Sequence, residues 1–184
     1  MTAIEILVKE HDSILQMIEI TQTILNKNDE TKVNLQHVEE IIDFVQNFAD
    51  KYHHLKEEDV LFMELEKHGM PREGGPVGVM LYEHDEGRAY IKNAIDGISQ
   101  LKKGDNSAFA DIRTNLLNYC TLLTNHIAKE NNILYPMAER MLPGSILETM
   151  SLNFEEANLA TANNEYHDKY LKMVDELSSM FLLF

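Results

Sequence analysis

The sequence predicts an all-α protein, an up-down four-helix bundle with an additional C-terminal helix. Three observations carry this. Apolar residues recur at helical spacing along most of the chain. Only 8 Gly and 4 Pro interrupt its 184 residues, and the Leu-, Ile-, Glu- and Lys-rich segments between them are good helix formers. The breakers are clustered, so the helices are long and the connections short, which favours antiparallel neighbours. With no evident linker, residues 1–184 read as one domain, a core bundle over 1–141 and a helical extension over 142–184.

The first helix spans about residues 2–27, with Ile4, Leu7, Ile14, Leu15 and Ile18 at helical spacing, and NKNDETKVN (26–34) ends it. The second runs from Asn34 to Lys67, with Ile41, Val45, Phe48 and Tyr52 along one face. HGMPREGGP (68–76) is the clearest loop, rich in Gly and Pro. The third helix covers about 77–102 and ends in KKGDNS, with lysines where the helix dipole favours cations. The fourth covers about 107–141 and stops at LPG (142–144). The remainder forms one or two further helices.

Composition excludes several functions. A net charge of −15 opposes binding to nucleic acid or to anionic membranes. Cys120 is the single cysteine, so neither an intramolecular disulfide nor a Cys-based zinc site can form. The N-terminal MTAIEILVKEHD lacks the pattern of a signal peptide, and no apolar run is long enough to span a membrane. A cytoplasmic protein is the expectation. No Ser-His-Asp or Cys-His signature and no glycine-rich phosphate loop is present.

An internal repeat carries the chemistry. His11 lies in KEHDS and His84 in YEHDE; His53 and His126 each precede a glutamate by four residues. The differences 84 − 11 and 126 − 53 are both 73, and the same offset takes Glu57 to Glu130, Leu61 to Leu134 and Phe62 to Tyr135. Four helices therefore read as two copies of one hairpin, each with His-Asp on its first helix and His-x-x-x-Glu on its second. The register selects His53 with Glu57 over the adjacent pair His54 with Glu58. The flanks agree, since His54 has Asn47, Asp50 and Lys51 as helical neighbours.

A His and a Glu at i and i+4 share a helix face, with Cβ atoms ~6 Å apart. Two such pairs and two single histidines bring four imidazoles and two carboxylates into one bundle. This mixed set fits two iron ions bridged by the glutamates better than one tetrahedral zinc. Glu-x-x-His, the pattern of ferritin-like di-iron bundles, does not occur.

At EHD (10–12), HHLKEEDVLF (53–62), EHDEGR (83–88) and HIAKENNILYP (126–136), the sequence resembles the hemerythrin-like, or HHE cation-binding, family. The resemblance covers about residues 1–141. It implies a four-helix bundle around a non-haem di-iron centre that binds or senses oxygen, nitric oxide or peroxide. It also admits a peroxide- or nitric oxide-reducing enzyme and an iron–sulfur repair factor. A metal-stabilised interaction module without redox chemistry is the remaining alternative. Carried over residue by residue, the metal ligands are His11, His53, Glu57, His84, His126 and Glu130, with Glu57 and Glu130 as bridges. The oxygen carriers of the family place a second histidine one turn after that of the third helix; here that position is Arg88. His167, in NEYHDKY (164–170), is the first candidate to complete the set, and His54 the second.

Other residues read as structural. Cys120 and the ten methionines suit core packing. Tyr119, two turns before His126, reads as packing, with a hydrogen bond to a metal-bound species as its other role. Tyr52 and Tyr82 read as core, and His37 and His68 as surface.

Overall fold

The computed structural model describes residues 1–26, 33–160 and 163–182, with side chains described outside 155–160 and 163–166. Part of the predicted first connection, residues 27–32, lies outside the described residues. All regular structure among the described residues is helical.

Helix α1 (Ala3–Leu25) starts in a capping box: the Glu5 amide donates to the Thr2 hydroxyl at 3.2 Å, and the Thr2 amide donates to the Glu5 carboxylate at 2.8 Å. Its buried stripe, Ile4, Leu7, Ile14, Met17, Ile18 and Ile24, also takes in Glu10 and His11. At its far end Arg113 donates to the Leu25 carbonyl at 2.7 Å, satisfying one of the carbonyls a helix leaves free.

The second rod has four regular pieces: α2 (Leu35–Phe44), a π-helical stretch π1 (Val45–His54), a second one π2 (Glu57–Leu61) and α3 (Phe62–Lys67). The backbone stays right-handed helical at every junction, so the rod is continuous. It stops at Gly69, whose φ of +100° a side chain would strain. The Gly69 and Met70 amides fold back onto the carbonyls of Glu66 and Leu65, closing a Schellman motif.

Helix α4 (Pro76–Lys102) opens with proline in its first turn, where the missing N–H costs nothing. It ends in a second Schellman motif at Gly104. The fourth rod is α5 (Ala108–Lys129), a π-helical stretch π3 (Glu130–Leu134) and α6 (Tyr135–Met141). These four rods match the sequence reading within a residue or two. The C-terminal extension forms two helices, α7 (Gly144–Ala160) and α8 (Asn163–Phe181).

Helix α8 packs along α1 and buries Tyr170, Val174 and Leu177 in a core shared with Ile14, Phe44, Phe48 and Leu116. Helix α7 puts Met150 and Phe154 into a second core with Leu7, Phe62, Leu65 and Tyr135. The buried histidines and glutamates belong to neither core. No described helix is long and apolar enough to cross a membrane.

Candidate metal centre

Five histidines and two glutamates meet inside the bundle: His11, His53, His54, His84, His126, Glu57 and Glu130, none more than 5% exposed. They form two groups that share Glu57. His11, His53, Glu57 and Glu130 present ligand atoms within 4.8 Å of one another, and so do His54, Glu57, His84 and His126. Glu130 spans the groups, with Oε2 at 3.2 Å from His11 Nε2 and Oε1 at 3.1 Å from His126 Nε2. Glu57 Oε2 lies 3.6 Å from His53 Nε2 and 3.5 Å from His84 Nε2. The other Glu57 oxygen accepts a hydrogen bond from Tyr135 at 2.7 Å.

Every ring is held from behind. His53 Nδ1 donates to Glu10 at 3.0 Å and His126 Nδ1 to Glu83 at 2.9 Å. His11 Nδ1 meets the Asn131 side-chain oxygen at 2.8 Å, His84 Nδ1 meets Glu58 at 2.6 Å, and His54 Nδ1 lies 3.4 Å from Asp50. These partners accept and do not donate, so Nδ1 carries a proton and Nε2 is the nitrogen left to turn inward, where a metal would take its lone pair. Lys56, itself buried, grips Glu10 at 2.5 Å, and Lys129 grips Glu83.

Inward lone pairs explain what the centre lacks. His84 Nε2 and His126 Nε2 stand 3.0 Å apart, so without a cation between them one must carry a proton and donate to the other. His54 Nε2, Glu57 Oε2 and both Glu130 oxygens are buried without a hydrogen-bond partner among the described residues. Six carboxylates, Glu10, Asp50, Glu57, Glu58, Glu83 and Glu130, face three cations, Lys56, Arg88 and Lys129. Buried oxygens and lone pairs in this number need a positive charge among them.

The titration of the protein alone points the same way. Burial pulls His126 down, but Glu130 and Glu83 outweigh it and push the imidazole up to about 10. His11 is raised against its own burial chiefly by Glu130. Burial would raise Glu130, yet His126 and His11 hold it well below the usual carboxylate range. Burial, with His84 beside it, presses His54 down to about 3. Without metal, protons occupy the gaps between imidazole and carboxylate, and a cation must displace them.

The hemerythrin HHE cation binding domain matches residues 2–138. The chain belongs to this family. No curated protein and no solved structure matches it.

In this hemerythrin HHE bundle the six residues selected by the 73-residue offset are all buried at the centre. The two supplementary candidates separate. His54 joins the second group and stacks on His84 with ring centroids 3.7 Å apart. Its polar helical neighbours pointed outward only for a regular α-helix. The wider turn of π1 advances less per residue, so the adjacent His53 and His54 both face inward. His167 stands in neither group: its side chain is 32% exposed, and its ring lies against Phe48 and Tyr52. Helix α8 lies outside the four rods, beyond Tyr52, and its histidine stops there. Tyr82 is 69% exposed, not core, because it sits on the solvent side of α4.

The residues holding the rings escaped the sequence reading, although the offset marks them. The reading stressed the Asp of each His-Asp pair, but the preceding glutamates, Glu10 and Glu83, make the buried contacts. Glu10 and Glu83 are 73 apart, as are Lys56 and Lys129. Glu58, which holds His84, and Asn131, which holds His11, are also 73 apart.

Proposed function

We propose that this hemerythrin HHE protein holds two non-haem iron ions and binds or senses oxygen, nitric oxide or peroxide there. One observation carries the proposal: two four-residue groups share a buried glutamate, and among the described residues His54 Nε2, Glu57 Oε2 and both Glu130 oxygens have no hydrogen-bond partner. One ion would take His11 and His53, the other His54, His84 and His126, with Glu57 and Glu130 spanning both. Nitrogen and carboxylate donors in this ratio suit iron. Ferrous iron supplies reversible electron transfer and affinity for diatomic ligands.

The chain's own residues do the rest. The hydrogen bonds at Nδ1 fix each ring and its tautomer before metal arrives. Tyr135 holds Glu57 by one oxygen and leaves the other for the centre. The two apolar cores on either side keep bulk water out. The same proposal takes residues 1–184 as one domain in the cytoplasm, without a nucleic-acid partner.

Metal content per chain tests it, measured by elemental mass spectrometry on protein purified anaerobically from its native host. Two irons per chain are expected. Zinc alone, or no metal, overturns the redox reading in favour of a structural module. Mixing the reduced protein with oxygen, nitric oxide or peroxide then separates binding from turnover. A reaction that stops at one equivalent marks a binder or sensor; sustained loss of substrate with a reductant marks an enzyme.

A further inference from the structure

The two groups differ in one respect that the repeat does not predict. A cavity of about 200 Å³ opens on the three-histidine group, lined by His54, His84 and His126. His11 and His53 do not line it. Its apolar wall comes from Val45, Ile91, Leu122 and Leu123, and Gly87 completes it. Gly87 matters, since a Cβ there would stand 3.3 Å from the Tyr119 ring and press it inward. The volume far exceeds what a diatomic needs. A cavity of ~150 Å³ already holds benzene.

Two residues of the wall each carry a buried polar atom that lacks a partner among the described residues. These atoms are the Tyr119 hydroxyl, on a side chain 5% exposed, and His54 Nε2. The hydroxyl can donate, and the nitrogen, whose ring donates through Nδ1 to Asp50, can only accept. The charged groups nearby are engaged. Arg88 bonds Asp50, Glu58 and Asp85, Lys92 pairs with Asp96 at 3.6 Å, and Glu83 is taken by His126 and Lys129. In the metal-free protein an ionic guest would therefore find no side-chain counter-charge free to meet it.

We propose that this cavity is a binding site for an uncharged alcohol or phenol about the size of one six-membered ring. Its ring or chain lies against Ile91, Leu122 and Leu123, and its oxygen accepts from Tyr119. The polar end then lies beside His54, next to the metal position of the three-histidine group. The site rests on the cavity and the unpartnered Tyr119 hydroxyl, so it stands whether or not a metal takes His54.

Fluorine NMR titrations test it with 4-fluorophenol, fluorobenzene and 4-fluorobenzoate, on protein as isolated and after metal removal, with circular dichroism confirming the fold. One saturable 4-fluorophenol site per chain is expected in both forms. Tyr119→Phe should weaken 4-fluorophenol about five- to tenfold, the effect of one lost hydrogen bond, and leave fluorobenzene unchanged. Leu122→Trp should abolish both. Absence of saturation in folded protein overturns the site. So does 4-fluorophenol binding that ignores Tyr119→Phe, or, after metal removal, 4-fluorobenzoate binding as tightly as the phenol. Iron content is read separately on the same samples, so failure of the metal proposal is distinguishable from failure of this one.

Discussion

Each histidine at the centre except His54, which Asp50 of its own helix holds, is aimed by a residue on another helix, and the pairs cross. The first helix of each hairpin supplies a glutamate that turns the histidine of the second: Glu10 for His53, Glu83 for His126. The second helix of one hairpin supplies the acceptor for the first helix of the other: Asn131 for His11, Glu58 for His84. Loss of such a partner typically costs 10–100-fold in metal affinity. Glu10→Gln and Glu83→Gln are therefore expected to weaken metal binding by about 10–100-fold each, and alike, whereas Asp12→Asn and Asp85→Asn leave it within about twofold; chelator competition reads this. His54→Ala is expected to lower metal content per chain and His167→Ala to leave it unchanged, because only His54 lies within reach of the centre. Equal effects of those two substitutions would place His54 outside the metal shell.

At the scale of the element, the π-helical stretches stand where the proposed ligands do. π2 begins at Glu57 and π3 at Glu130, so the widened turns obey the same 73-residue offset as the ligands. Proline is not their common cause, since Pro136 follows π3 but Met63 holds the matching place after π2. A wide turn lets more consecutive residues face inward, and helices often adopt it at functional sites. Arg88 of α4 ties these elements together, reaching Asp50 in π1 and Glu58 in π2 at 2.7 Å each. Burial would raise both carboxyls, but His54 and Arg88 hold Asp50 at about 2, and His84 and Arg88 hold Glu58 at about 2. A depressed pKa contributes stability that is complete above the unfolded value, about pH 4–4.5, and is lost as pH falls toward ~2. Arg88→Leu should accordingly move the midpoint of acid unfolding, followed by circular dichroism, to higher pH. An unmoved midpoint would mean that the network adds nothing to the fold. Helix α8 is a second element with a measurable share. Ending the chain at residue 162 uncovers the sites of Tyr170, Val174 and Leu177, all buried in the core that α1 and α2 share, and should lower the melting temperature and expose apolar surface to a dye such as ANS.

The whole molecule is two apolar cores with a buried belt of acid and imidazole between them. Glu57 and Glu130 are 0% exposed, and Lys56 and Glu10 are an ion pair hidden from water. Such a belt costs free energy unless its charges are matched, so metal and fold are linked. A ligand present at ~1,000 times its Kd adds about 4 kcal/mol, which for a chain of this size corresponds to roughly 8–16 °C in Tm. Stripping the metal should lower Tm by about that amount and restoring it should reverse the change. A melting temperature indifferent to metal would show that protons balance the belt equally well. Affinity should also climb from pH 5.5 to 7.5, because the imidazoles must shed their protons before they bind; equilibrium dialysis reads this.

The four rods and six of the seven central residues were legible in the sequence. Helical periodicity marks which face is apolar, and a fixed offset between two hairpins marks which polar residues interrupt that face together. The same offset held the outer pairs as well, from Glu10 and Glu83 to Glu58 and Asn131. What it could not hold was the wide turn of π1, which has no counterpart in the second hairpin, or any other departure from the symmetry of the repeat. The inward turn of His54 needed the wide turn of π1. The isolation of His167 followed from where α8 lies against α1. Tyr135 bonds Glu57 while its repeat partner Phe62 has no hydroxyl, and the cavity opens beside Gly87 and Tyr119 on one group alone. Spacing along one helix is set by local geometry and survives in the sequence. Contacts between rods depend on how they pack, and only the tertiary structure decides them.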